Sequence, residues 1–236
     1  MTSVRKGLLA ATAAFALIGM ASQAARATPI ITYSATSGGT QTQITTNGTY
    51  DGLTISGFQV GSNAPGSSNN ANVISSTLSV VNNSGSTQTG FFYVGDTGFT
   101  SPTNPPAAKL ELFNGLGGTV TLSNAIESIS LISCADQGNG VNNCPATTYK
   151  TAAVTPALDG NGSSFSQSNT AMIGSLAAPY SISALIEVTL GNGGQFNFTT
   201  TSAVETVPEP SSVLPLAVGL MGLTTIVLAT RRQRRG

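Results

Sequence analysis

Through the middle of the chain apolar residues alternate with polar ones, and at its two ends the alternation gives way to unbroken apolar runs. A period of two sends successive side chains to opposite faces of an extended strand, so the middle reads as a series of half-buried strands. The first runs, 29–34 and 43–50, are rich in Thr and Ile. Within 52–60, Leu53 and Ile55 share a face, and Phe58 and Val60 rejoin it after a break at Gly57. Residues 61–72, dominated by Pro, Gly, Ser and Asn, read as a loop. The alternation resumes over 73–81 with Leu78 and Val80 on one face, turns at 82–85 and continues through 91–94.

Two hairpins are expected after that. Residues 110–113 and 120–122 flank Asn114-Gly115-Leu116-Gly117-Gly118, whose glycines suit a turn that needs positive φ. Over 182–190, Ile182, Ala184, Ile186, Val188 and Leu190 alternate with Ser183, Leu185, Glu187 and Thr189; the chain turns at Gly191-Asn192-Gly193-Gly194 and returns with Phe196 and Phe198 on one face. Between them 125–133 reads as a further strand and 152–179 as mostly loop. Short strands with turns at this spacing predict an all-β fold, an antiparallel β-sandwich in the jelly-roll or immunoglobulin-like range. A parallel β-helix would need an internal repeat, and no convincing period is present.

The ends carry a different message. Residues 213–230 form an uncharged apolar run of 18 residues, which as a helix would span ~27 Å, enough to cross a hydrocarbon core. Arg231, Arg232, Arg234 and Arg235 follow and would hold that terminus on the cytoplasmic side. At the other end, 1–27 has a basic start (Arg5, Lys6), an apolar stretch from about Leu8 to Ala21 and the small residues Ala25 and Ala27 around Arg26. That is the layout of a secretory signal peptide with cleavage before Thr28. An uncleaved N-terminal helix is the competing reading, but the apolar stretch is short for a span.

Ahead of the C-terminal run stands Pro208-Glu209-Pro210, which a bare membrane anchor does not require. Motif, apolar run and arginine cluster, in this order at the C-terminus, resemble the PEP-CTERM sorting signal of Gram-negative bacteria. The resemblance covers 207–236 and is silent about the rest. It implies export through the Sec translocon, a transient stay in the inner membrane, and processing near the motif by exosortase. It also implies a final place at the cell surface or in the extracellular matrix, in association with exopolysaccharide and biofilm. The chain then divides into a signal peptide (1–27), a secreted domain (28–206) and the sorting segment (207–236).

Setting the ends aside changes the charge. The whole chain has 9 basic and 9 acidic residues. Between 28 and 207 only Lys109 and Lys150 remain, against Asp51, Asp96, Glu111, Glu127, Asp136, Asp159, Glu187 and Glu205, a net charge of −6. Such a domain has no electrostatic footprint for nucleic acid. Its polarity comes from Ser, Thr, Asn, Gln and Gly; recurrent Ile, Val and Thr argue for a folded domain over disorder.

Cys134 and Cys144 enclose a short Gly/Asn-rich loop, which in an exported protein reads as a disulfide. A metal pair is the alternative, but the chain contains no histidine, so the usual partners are missing. On the chain-entropy model, closing a loop of this size stabilises by ~2.5–3 kcal/mol.

The absence of histidine also removes Ser-His-Asp and Cys-His chemistry, and neither a Gly-x-Ser-x-Gly elbow nor a phosphate-binding loop is present. Eight carboxylates could meet as a glycosidase pair, a signal with almost no specificity. Asp159-Gly160-Asn161-Gly162-Ser163 resembles the start of a calcium loop but lacks the closing glutamate at Thr170. Asp136-Gln137-Gly138-Asn139-Gly140 invites the same reading. No cofactor is expected, and the expected function is that of a non-enzymatic surface or matrix protein. The alternative is a glycan-binding module or hydrolase on a β-sandwich. Without Trp, its platforms would fall to Tyr33, Tyr50, Tyr93, Tyr149 and Tyr180, residues that in strands more often belong to the core or its rim.

Overall fold

The computed structural model describes residues 28–103, 108–122 and 127–208. The expected signal segment with Ala25 and Ala27 lies outside the described residues, as do Glu209, Pro210, the apolar run 213–230 and Arg231, Arg232, Arg234 and Arg235.

Among the described residues there is no helix, and the strands form two antiparallel sheets. In chain order they are β1 (Ile30–Ser34), β2 (Thr42–Gln43), β3 (Gly48–Tyr50), β4 (Leu53–Ser56), β5 (Val60–Ser62), β6 (Asn70–Asn82) and β7 (Gln88–Phe99). After these come β8 (Ala108–Thr121), β9 (Ser128–Asp136), β10 (Tyr149–Lys150), β11 (Ser164–Ile173), β12 (Tyr180–Leu190) and β13 (Gln195–Pro208). One sheet has the order β10-β9-β12-β7-β1-β2; the other runs β11-β8-β13-β6-β4-β3, with β5 also paired to β6.

The predicted alternation buries the inner faces. Leu110, Leu112, Leu116 and Val120 of β8 join Ile182, Ile186, Val188 and Leu190 of β12 in a single core cluster. Each such side chain contributes about 1.5–3 kcal/mol on burial. Phe165 meets Phe196 edge-on at 5.9 Å between ring centres, and Phe99 stacks on Tyr180 at 5.7 Å, arrangements that favour aromatic pairs beyond area alone. Polar contacts also cross this interior. Ser133 Oγ and Ser202 Oγ lie 2.6 Å apart, and Asn114 Nδ2 donates to Thr151 Oγ1 at 2.7 Å.

Both expected hairpins are corrected. Residues 110–122 do not turn: β8 runs straight through Asn114, Gly115, Gly117 and Gly118, paired on one side with β11 and on the other with β13. None of its glycines has positive φ, and Gly118 answers a demand for close approach instead. A Cβ on Gly118 would lie 2.2 Å from the Asn197 carbonyl oxygen and 2.8 Å from the Phe198 Cα. The 191–194 turn exists, but β12 and β13 belong to different sheets, so the chain arches from one layer to the other. Buried Asn82 holds that arch: its Nδ2 donates to the Leu190 carbonyl at 2.7 Å, and its own carbonyl accepts from Gly193 N at 2.7 Å.

The segment 152–179, expected to be mostly loop, contains β11 and an isolated bridge from Val154 to Leu131. As the last strand of its sheet, β11 needs to bury little beyond Phe165 and Ile173, so its sequence lacks the apolar period that marks a strand. The expected loop 61–72 is shorter than anticipated, because β5 ends at Ser62 and β6 starts at Asn70.

Candidate functional site

The predicted disulfide is present: Cys134 and Cys144 are bonded, with Cα atoms 5.6 Å apart. It fastens the 134–144 loop over the outer face of the six-stranded sheet, where Tyr93, Leu185 and both cysteines form a second apolar cluster flanked by Phe91 and Ile132. Asp136 organises this loop. Its carboxylate accepts from Gly138 N (2.9 Å), Gly140 N (3.2 Å) and Asn143 Nδ2 (2.6 Å). Burial pushes its pKa up, but the three hydrogen bonds outweigh that and hold it below the usual carboxylate value. With both oxygens engaged, Asp136 acts as a loop brace. The second candidate calcium segment is likewise a turn: Asn161 Oδ1 accepts from Leu122 N at 3.2 Å, and Ser163 Oγ donates to the Gly160 carbonyl at 2.6 Å. Among the described residues no three metal-capable side chains come together.

Beside the loop, Ala135, Asp136, Gln137, Thr147, Thr148 and Tyr149 line an open hollow of about 140 Å³. Tyr149 Oη and Gln137 Nε2 both donate to the Ser175 carbonyl, at 3.3 and 3.2 Å. The hollow is small beside the several hundred Å³ of a typical ligand pocket.

The five tyrosines do not supply platforms. Tyr33, Tyr93 and Tyr180 are buried, while Tyr50 and Tyr149 pack against the core edge. Burial first, and then the charge of Asp51, push the Tyr33 hydroxyl up to about 12. A partly exposed aromatic outside both clusters is one that tyrosine-centred reasoning missed. Among the described residues every Phe and Tyr joins or packs against one of the two apolar clusters, except Phe113.

Phe113 points to the outer face of the seven-stranded sheet because its β8 neighbours Leu112 and Asn114 point in. Its ring leans along the strand over Gly115, where a Cβ would come within 3.0 Å of Cε1 and 3.1 Å of Cζ. Gly117, two residues on, leaves the same face bare. Register sets Ser168 and Thr201 on either side of Gly115, Ser166 and Thr199 beside Gly117, and Thr170 and Ala203 beside Phe113. The surface is thus a partly exposed ring on a glycine-paved strip between rows of hydroxyls. At one margin Glu111 and Glu205 stand opposite each other, with Asn70 Nδ2 donating to Glu205 Oε1 at 3.1 Å. The sequence signal available was the parity of Phe113, out of phase with Leu110 and Leu112.

Pro208, the described part of the expected sorting motif, closes β13 opposite Ala108. The tail therefore departs from a central strand of the seven-stranded sheet.

No protein-family model matches the chain, and no curated protein matches it. Similar solved structures include two. One is the C-terminal CBM6 of LamC, a marine laminarinase from Zobellia galactanivorans, 13% identical, covering 62% of this chain and 89% of that one with a TM-score of 0.26. The other is the enzymatically active domain of tailspike protein 4 from bacteriophage CBA120, 12% identical, covering 66% of this chain and 19% of that one with a TM-score of 0.29. Scores of that size carry neither fold nor function across.

Proposed function

We propose that this is an exported, non-catalytic β-sandwich of jelly-roll type that binds neutral polysaccharide on the outer face of its seven-stranded sheet. One observation carries the binding reading: Phe113 is the described aromatic that neither apolar cluster claims, and it lies on a glycine-paved strip flanked by Ser166, Ser168, Thr170, Thr199 and Thr201. A sugar ring offers one apolar face and a rim of hydroxyls, and this surface offers an aromatic ring among hydroxyls. No charge interrupts the strip, which suits an uncharged chain. The experiment is retention of the protein on immobilised cellulose, mannan and the exopolysaccharide of the producing organism. Phe113→Ala is expected to lose retention, by about 1–1.5 kcal/mol or roughly tenfold in affinity, while Thr77→Ala, at an exposed position of β6, keeps it. Equal retention of both variants, or none by the parent protein, refutes the reading.

The PEP-CTERM resemblance supplies the route: passage through the Sec translocon, a transmembrane precursor, exosortase processing and release to the surface or matrix of a Gram-negative bacterium. The disulfide supports this route, since such bonds persist in oxidising compartments. Replacing Pro208-Glu209-Pro210 by alanines is expected to leave full-length precursor in the inner membrane; normal processing refutes the sorting role.

A further inference from the structure

Four strands end the two sheets, and three are short: β2 and β10 have 2 residues each and β3 has 3. The fourth, β11, has 10 residues and pairs with β8 without a register shift from Ser164 to Ile173. Long edge strands are ordinarily guarded against pairing by charge, proline or a bulge. Ser-Phe-Ser-Gln-Ser-Asn-Thr-Ala-Met-Ile contains no charged residue and no proline.

The direction of its backbone groups can be read. The Thr170 amide donates to Asn169 Oδ1 at 2.8 Å, whereas the Ser163 carbonyl accepts from Val120 N of β8 at 3.1 Å. Backbone groups alternate sides along a strand, so the odd-numbered residues bond to β8. The even-numbered Ser164, Ser166, Ser168, Thr170 and Met172 turn their N–H and C=O to the open edge. Among the described residues Met172 is also one of two large apolar residues left exposed, at 55%.

We infer that β11 pairs antiparallel with β11 of a second copy of this chain, joining two seven-stranded sheets edge to edge. A two-fold axis at Ser168 sets Ser168 against its own equivalent, Thr170 against Ser166 and Met172 against Ser164, so the amides of Ser164, Ser166, Ser168 and Met172 gain carbonyls and that of Thr170 exchanges Asn169 Oδ1 for one. Antiparallel pairing of one strand with itself is closed and isologous, as a symmetric dimer requires. A second copy also fits electrostatically: the domains are acidic, and β11 is a stretch along which two of them meet without opposing charges. The hydroxyl-lined outer faces would run on across the join. This pairing stands whether or not those faces bind glycan.

The test is site-directed crosslinking of the full-length protein. Ser168→Cys with a short bis-maleimide is expected to give a species of twice the mass on reducing gels, while Thr77→Cys, at an exposed position of the interior strand β6, gives none. Adding Ser166→Pro, which removes an edge-facing amide without touching the β8 ladder, or Ser166→Lys, which sets like charges across the join, is expected to cut the crosslinked fraction at least tenfold. Absence of the Ser168→Cys dimer, equal crosslinking at Thr77, or a dimer that survives both second substitutions overturns the proposal.

Discussion

Gly118→Ala tests whether β8 is one strand, because the structure leaves its new methyl nowhere to go. The nearest atom would be the Asn197 carbonyl oxygen at 2.2 Å, about 1.2 Å inside the 3.4 Å at which ordinary contact begins. The obstruction is backbone in β13, a strand paired on both sides, so no side-chain rotation relieves it. Either β8 and β13 part locally, at the cost of ladder hydrogen bonds, or the chain bends and disturbs the adjacent Phe165 and Phe198. Overpacking of this kind costs about 2–4 kcal/mol, which for a domain of this size is a fall in Tm of about 5–15 °C. Gly117→Ala is the matched control: its Cβ would meet only the Phe165 carbonyl oxygen at 3.6 Å and Ser166 Oγ at 3.9 Å, and it should stay within about 0.5 kcal/mol of the parent. Thermal and urea unfolding followed by circular dichroism distinguish the two. A Gly118→Ala protein as stable as the parent, or a Gly117→Ala protein equally damaged, would mean that the segment is a turn after all.

Three further outcomes are expected. Gly115→Ala should displace the Phe113 ring while changing stability by less than about 1 kcal/mol, so polysaccharide retention should fall as it does for Phe113→Ala; unchanged retention argues against the platform. Asp96 is buried, and burial raises its pKa above the ordinary 3.8 although Ser62 Oγ and Thr97 N donate to it. Its folded state therefore holds the proton more tightly than the unfolded chain, so stability is full below pH 3.8 and lost as pH rises through the folded pKa. Asp96→Asn should gain stability relative to the parent with rising pH and match it in acid; a difference that does not depend on pH counts against this account. Asp136, held low, acts in the opposite sense in a lower window: its contribution is present above pH 3.8 and fades as pH falls through its folded value. Removing the disulfide with Cys134→Ser and Cys144→Ser together should lower the unfolding free energy by ~2.5–3 kcal/mol, and a loss below about 1 kcal/mol in urea titrations would contradict the loop-closure estimate.

Alternation sufficed for the strands that bury one face completely. Leu53 with Ile55, Leu78 with Val80, and the Ile182–Leu190 series all lie where a period of two puts them. The Cys134–Cys144 bond was equally legible, because a short Gly/Asn loop in a chain without histidine leaves two cysteines few other partners. Glycine misled. In Asn114-Gly115-Leu116-Gly117-Gly118 the composition of a turn coincides with a strand whose neighbour presses too close for a Cβ, and only the three-dimensional pairing separates the two demands. Gly191–Gly194 does turn, yet nothing local says whether the next strand rejoins the same sheet; Asn82, more than a hundred residues earlier, decides it. β11 was hidden because an edge strand is half solvated and can be written in Ser, Thr, Gln and Asn. Phe113 was overlooked because an outward aromatic matters only once the inward ones have been counted.

The exit of the tail at Pro208 has a mechanical consequence. β13 is flanked along most of its length by β8 and β6, so tension applied through the C-terminal segment runs parallel to the strand axis and loads two ladders in shear at once. Such a strand cannot be peeled away one rung at a time. If the protein is tethered from this point, as the proposed sorting route would have it, it would resist extraction far better than one hung from a terminal strand of either sheet.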